Sequence, residues 1–512
     1  MKRLLYYLLP LFGAAVLVSC EKDLPTYLDF AGYEFATTDA DGGDWKPVLL
    51  DNGAAISIPA PADAGSAEYA QELADLKADM DQMTASEQDQ VRYWTQNPAI
   101  RWNEITLELI AKYNLIPGPN ADGSYTLPSP GNPTGPPAFP FAHPPYAVRC
   151  LAYLSVAQFD GLIAAWHHKY AYNRAAPYVN DPSISYAYTP TSIPAYPSDG
   201  AVIATAARKI LTQMFPLEAD YLADKEAECL RSLLLSGGHV PSDIEAGKLI
   251  GEAVADLALD RAADDGMKNA QAPKPISDSL AAAAQDRYGW HWVNLELPQR
   301  PVGLTPLFGQ VKMWCVDNVV DTRPIPPPAL DSPELAADIA LLKDYAENVT
   351  VETRSIANFW QDGLGTYTPP GHWNEIAAKY IVQYRQNPLR TARTYAYLNM
   401  AMMDGGISCW DAKYYYHYPR PINVIEGFET IAGTPNFPSY TSGHSVFSAA
   451  GSEVLAYIFP ADAAQFRAWA EEAAISRVYG GIHWTFDATV GTDQGRAVAA
   501  YTLGVARVDG AD

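Results

Sequence analysis

Residues 445–459, 461–479 and 487–508 each carry apolar side chains at the three- and four-residue spacing of an amphipathic helix, and Phe459-Pro460 separates the first two. Strand-type alternation of polar and apolar positions is scarce along the chain. The pattern predicts an all-α protein.

The pattern also repeats. "YLSVAQFDGLIAAWHHKYAYNRAAP" at 153–177 answers "YLNMAMMDGGISCWDAKYYYHYPRP" at 397–421, with 11 of 25 pairs identical at an offset of 244. The same offset pairs Ser198 with Ser442, Phe215-Pro216 with Phe459-Pro460, His239 with His483 and Asp243 with Asp487. Upstream, "RWNEI" from Arg101 answers "HWNEI" from His372 at an offset of 271. The extra 27 residues fall in the Pro- and Gly-rich stretch 116–145 of the first copy, which precludes regular structure. A tandem duplication of this length predicts two related helical bundles sharing one core. The expected organisation is a leader at 1–20, a flexible tether at 21–62, a first, degenerate copy at 63–267, a connection at 268–335 and a second copy at 336–510.

Composition adds two limits. A chain of 512 residues, 48% hydrophobic and 18% charged, can bury a large core. A net charge of −24 argues against nucleic acid as a partner and requires any anion site to build its own local field. The opening "MKRLLYYLLPLFGAAVLVSC" has the basic start, apolar run and small-residue end of an export signal. Its tail, "LVSC", resembles a bacterial lipobox, which implies lipidation at Cys20, an exported lipoprotein and attachment to a membrane through that anchor alone. No later segment is expected to span a membrane. Cys150, Cys229, Cys315 and Cys409 have neither metal-type nor scaffold-type spacing and read as buried thiols.

The chemistry gathers in the second copy. Lys413 and Arg420 lie seven apart, Ser442-Gly443-His444 stands at the start of a helix, and Arg477, His483 and Asp487 follow. A helix N-terminus offers unpaired N–H groups and partial positive charge. Ser442 and Gly443 there, with Lys413, Arg420 and Arg477 around them, would cradle a tetrahedral oxyanion. Asp487, one helical turn after His483 if that segment is helical, would accept from Nδ1 and free Nε2 as nucleophile or axial ligand, leaving His444 for acid–base work. Taken singly, an N-cap serine, a surface arginine and a core histidine are the plainer readings; their convergence favours the cradle. The first copy has Ala176 opposite Arg420, Leu233 opposite Arg477 and Gly200 opposite His444, so it is expected to be structural.

These residues resemble the superfamily of type 2 phosphatidic-acid phosphatases and vanadium-dependent haloperoxidases, with motifs K-x6-R-P, P-S-G-H and S-R-x5-H-x3-D. Here they read "KYYYHYPRP", "TSGH" and "SRVYGGIHWTFD"; Thr441 replaces the usual proline, which is expected to loosen the turn. The resemblance implies two four-helix bundles and one of two activities. In the haloperoxidases the residue matching His483 is the axial ligand of vanadate, Lys413 matches the residue that polarises hydrogen peroxide, and halide is oxidised. In the phosphatases the same histidine attacks a phosphoester and the residue matching His444 protonates the leaving group. Trp410 and Phe437 fall at positions resembling the halide-site aromatics, although Trp410 has a partner, Trp166, in the degenerate copy. Length, duplication and these aromatics favour the haloperoxidase branch, with an acid phosphatase as the alternative. A glycan-binding surface lipoprotein, which the 12% aromatic share and export would allow, lacks the short helical repeats it needs.

Overall fold

Proline sets where several helices begin. Pro98, Pro144, Pro241, Pro333 and Pro388 all stand in the first turn, where a fixed φ helps and a missing N–H costs nothing. The computed structural model describes residues 32–115, 121, 143–296, 300 and 302–511. Its α-helices of nine residues or more are α1 (Ala67–Asp81), α2 (Ala85–Trp94), α3 (Pro98–Tyr113), α4 (Pro144–Tyr172), α5 (Asp199–Met214), α6 (Ala219–Leu235), α7 (Pro241–Ala263), α8 (Lys274–Tyr288), α9 (Pro333–Glu347), α10 (Val351–Phe359), α11 (Thr368–Gln383), α12 (Pro388–Tyr416), α13 (Gly443–Ile458), α14 (Ala463–Tyr479) and α15 (Thr485–Ala506). No strand occurs among the described residues, and the fold is all-α.

Helices α4, α5, α6 and α7 begin 244 residues before α12, α13, α14 and α15, the offset of the sequence repeat. The two 29-residue helices α4 and α12 lie against each other. α5 and α7 pack round α4, while α13 and α15 pack round α12. One apolar cluster runs through both halves, including Trp102, Phe159 and Ile203 with Trp373, Tyr397 and Val446. A buried polar seam crosses it. Asn103 donates to Asn374 at 3.0 Å, Asn374 to Asn399 at 2.8 Å, and Asn399 to Ser155 at 3.3 Å. Buried amides that must find polar partners across the seam fix the register of the two halves more specifically than apolar contact does.

Four expectations change. Residues 32–62, expected within a flexible tether, lie on the body: Trp45 is buried, and the Val48, Leu49 and Leu50 N–H groups donate to Asp160 at 2.8, 2.6 and 2.9 Å. Asp404, 244 residues later, accepts from Trp314 and Cys315 in the same way. Second, α4 is long and apolar enough to cross a membrane by length and composition, contrary to expectation, but its apolar window is wholly buried as a core helix. Third, the connection at 268–335 contains α8. The leader, Cys20, residues 21–31 and most of the insert at 116–145 lie outside the described residues. Cys150, Cys229 and Cys409 are buried free thiols, whereas Cys315, also free, is only half-buried, contrary to expectation.

Candidate active site

The second copy forms one floor from three places in the chain: the end of α12, the loop 437–442 leading into α13, and the turn between α14 and α15. Lys413, in the last turn of α12, is fully buried and donates to the carbonyls of Pro438, Ser439 and Thr441 at 3.0, 2.8 and 2.5 Å. Arg420 donates to Phe437 and Ile482 carbonyls at 2.9 and 2.6 Å. These two cations lock the loop that delivers the α13 N-terminus. Thr441 does not loosen it. Its hydroxyl donates to Gln494 at 2.6 Å, and the peptide before it is cis, as is the one before Pro197 in the first copy.

Ser442 caps α13, accepting from the Ser445 N–H at 3.4 Å, so the plain N-cap role is present. The N–H groups of Gly443 and His444, the first two of the helix, have no acceptor among the described residues. A Cβ added to Gly443 would be in ordinary contact with Trp410 and Phe447, at 3.7 and 3.8 Å, and Gly443 lines the cavity in front of the helix.

His483 precedes α15 rather than sharing a helical turn with Asp487. Asp487 is the third residue of α15, and its Oδ2 accepts from the Trp484 N–H at 3.1 Å, the capping role of an acid at that position. The same oxygen lies 2.9 Å from His483 Nδ1 and accepts from Ser439 Oγ. His483 Nε2 lies 3.4 Å from an Arg420 nitrogen. Because a guanidinium can only donate, Nε2 is the acceptor, and Nδ1 carries the proton. Burial, then the positive charges of Arg420 and Lys413, hold this imidazole well below its ordinary pKa. Asp487 is pushed up to about 7 by burial, with Ser439 and Lys413 opposing, and its Oδ1 has no partner.

The floor opens into a cavity of about 1040 Å³ whose wall includes Gly443, His444, Arg477, His483, Trp410 and Phe437. Lys413, Arg420 and Ser442 lie behind that wall. Arg477 donates to Ser476 Oγ at 2.9 Å and to the Ala357 carbonyl. Burial lowers Lys413 to about 8 and pulls Arg420 and Arg477 below their ordinary values; a negative guest would oppose all three shifts. His444 Nε2 is buried without a partner. Free amide donors, an orphaned imidazole nitrogen, a neutral histidine and buried cations are a donor set that fits phosphate or vanadate. No cluster of three metal-ligating side chains occurs among the described residues.

Trp410 is fully buried, its Nε1 donating to the Leu304 carbonyl at 3.2 Å; Trp166 donates to Thr38 in the first copy. Phe437 is half-buried, 5.0 Å from Trp410 by ring centroids and 5.0 Å from Lys413 Nζ. Sequence reasoning missed Ser439, Asp362 and His372. The exchange of Arg101 for His372 inside the matched "WNEI" segments was the available signal for the last.

Residues 394–508 match the PAP2 superfamily model. A vanadium chloroperoxidase of Curvularia inaequalis is 25% identical over 130 residues, 18% of this chain and 21% of that protein, so the chain spans about a fifth of the curated relative it matches. A bacterial vanadium-dependent iodoperoxidase structure superposes with TM-score 0.60 at 24% identity, covering 79% of this chain and 95% of the other. A holo-type bacterial vanadium-dependent chloroperoxidase gives TM-score 0.51 at 16% identity, covering 74% and 96%. Both structural likenesses establish the helical fold.

Proposed function

We propose that the chain, whose residues 394–508 form a PAP2 superfamily domain, is a vanadate-dependent haloperoxidase that oxidises halide with hydrogen peroxide, consuming one proton and releasing hypohalous acid and water. The observation that carries this is His483: a neutral imidazole with Nδ1 on Asp487, set where a helix N-terminus and buried cations converge. When bound, vanadate supplies a Lewis-acidic centre that activates peroxide toward halide. His483 would hold it through Nε2, and the Gly443 and His444 amides with Arg420 and Arg477 would carry its negative charge. Lys413 keeps the cradle loop in place and adds a charge beneath it. His444 has a free nitrogen with which to take and return protons. Phe437 and Trp410 give an apolar wall on which a weakly hydrated halide can rest. The activities of the chloroperoxidase and iodoperoxidase relatives support the same branch.

A second reading is favoured by the orphaned His444 Nε2. On a phosphoester, His483 would attack phosphorus while His444 protonates the leaving oxygen, making the chain an acid phosphatase. Purified protein with peroxide and iodide or bromide, with and without vanadate, scored for dye halogenation and for phosphate release from p-nitrophenyl phosphate, separates the two. Vanadate-dependent halogenation is expected. Phosphate release that vanadate inhibits, without halogenation, would establish the phosphatase instead. We further propose that the protein acts outside the cytoplasm, anchored through lipid at Cys20; labelling with a fatty-acid probe that disappears in Cys20→Ala tests this.

A further inference from the structure

The cavity holds a second imidazole–carboxylate pair that the chemistry above does not use. His372, in the first turns of α11, lines the cavity with 8% of its surface exposed. Its Nδ1 lies 3.1 and 3.2 Å from the two Asp362 oxygens. The ring stacks on Trp360 at 4.5 Å and 25°, with Phe359 edge-on at 5.2 Å. Trp360 is itself held by a 2.8 Å bond from Nε1 to Glu472. The imidazole is thus fixed in plane and tautomer, and its Nε2 has no hydrogen-bond partner among the described residues.

We propose that His372 is a cationic docking residue for the incoming anion: an imidazolium at the cavity wall, positioned by Asp362 and Trp360, that draws a small anion from an acidic protein surface toward the cradle. This rests on the proposed function, because it assumes an anion is processed at His483. The charged groups facing the ring are Asp362, Glu375 and Lys379, with His444 and Arg477 beyond. Burial alone would lower the pKa of His372, but Asp362 outweighs it, Glu375 adds and Lys379 opposes, so it is raised. His444 shifts the other way, lowered by burial, Arg477 and His372 itself. There is therefore a pH range in which His372 is charged while His444 is not. A net charge of −24 repels anions at long range, so a charged group at the wall has a task there. Asp362 also faces Arg477, which links the docking residue to the cradle through one carboxylate.

The test is equilibrium binding of vanadate to wild type and His372→Gln from pH 5 to 8, without turnover. The ratio of the two affinities cancels the ligand's own protonation. If His372 docks the anion, binding raises its pKa and, by reciprocity, its proton raises the affinity; a guest that lifts the imidazole pKa by about one binds the protonated form about tenfold more tightly. The wild-type advantage should be about tenfold at low pH and vanish above the imidazole's pKa in the complex. Asp362→Asn should move that fall to lower pH. A ratio independent of pH, with vanadate still bound, overturns the docking role and leaves the proposed function standing. No vanadate binding by the wild type overturns the cradle, and the docking role with it. A His372→Phe variant that keeps the stacking but loses the pH-dependent advantage excludes a purely structural effect.

Discussion

Asp199 lies 2.9 Å from Lys169 Nζ, at the first position of α5, where the second copy has Gly443 beside Lys413. Lys169 otherwise repeats its counterpart, donating to the Pro194 and Ala195 carbonyls at 2.7 and 3.4 Å. The carboxylate stands where the second copy offers room to an oxyanion. Leu233 closes the site further by packing on Gly200, and His239 is 3.9 Å from Asp243 where His483 is 2.9 Å from Asp487. In the degenerate half the buried lysine takes its counter-charge from the chain itself.

Removing that internal anion has a defined cost. Asp199→Asn leaves Lys169, 1% exposed, without its counter-charge, and breaking a buried pair costs about 3–5 kcal/mol. The Asp199 side chain is 16% exposed and Lys169 keeps Pro194, so the lower end is expected. Thermal unfolding should show a clear fall in midpoint, with activity per folded molecule unchanged. Burial raises the Asp199 pKa, but Lys169 and His239 outweigh it, and the net shift is downward. Its contribution is therefore present above the unfolded carboxylate pKa and lost as pH falls through the lower folded value, so the gap between wild type and variant should narrow in acid.

His444 gives the opposite sign. Its folded pKa is held well below the ordinary value by burial and then by Arg477. Below about pH 6.5 the unfolded chain takes up a proton that the folded site refuses, so folding loses up to about 1.4 kcal/mol per pH unit on this account. The ring is half-buried, which reduces that figure. His444→Gln should be about as stable as wild type at pH 7.5 and gain about 1 kcal/mol over it near pH 5.5 in chemical unfolding. Saturating phosphate should remove most of the gain, because an anion against Nε2 makes the protonated ring welcome.

The helical register was legible because the duplication writes it twice: α13, α14 and α15 begin within two residues of the apolar spacing that announced them, and each has a partner 244 residues earlier. The convergence of polar groups in the second copy was legible because Arg420, His444 and Arg477 face Ala176, Gly200 and Leu233 in the first, although Lys169, His239 and Asp243 persist there. What stayed hidden depends on loops. Ser439 gives no periodic signal, yet it joins His483 to Asp487. The placement of Asp487 at the third position of α15 follows from a capping bond that a four-residue spacing cannot distinguish from a helical turn. His372 and Asp362 meet only because the segment between α10 and α11 turns back, with Asp362 at φ 42°.

Trp410 and Phe437 should separate by readout. Trp410→Phe removes a buried Nε1 bond and part of a filled core position, and about 1–3 kcal/mol of stability should go with them. Phe437→Leu, at a half-buried position over Lys413 and Arg420, should cost less stability and instead raise KM for halide several-fold with a smaller change in kcat. Equal effects of both substitutions on stability and none on KM would make Phe437 a packing residue.

The tautomer of His483 is the tightest constraint on the proposed chemistry. Asp487 can only accept when ionised, so Nδ1 must donate and Nε2 keeps its lone pair for the central atom of the guest. In Asp487→Asn the amide can present N–H to Nδ1, which moves the ring proton to Nε2 and blocks that lone pair. Loss of the correct tautomer in a comparable imidazole–carboxylate pair costs about 10⁴-fold in rate. Vanadate affinity and turnover should both fall by about 10³-fold or more, approaching His483→Ala. The atom turned toward Nδ1 is the one that accepts from Ser439 and from the Trp484 N–H, so both donors lose their acceptor and the thermal midpoint should fall as well; activity and affinity are therefore compared per folded molecule. A fully active Asp487→Asn protein with unchanged vanadate affinity would mean that Nε2 of His483 is not the atom facing the guest.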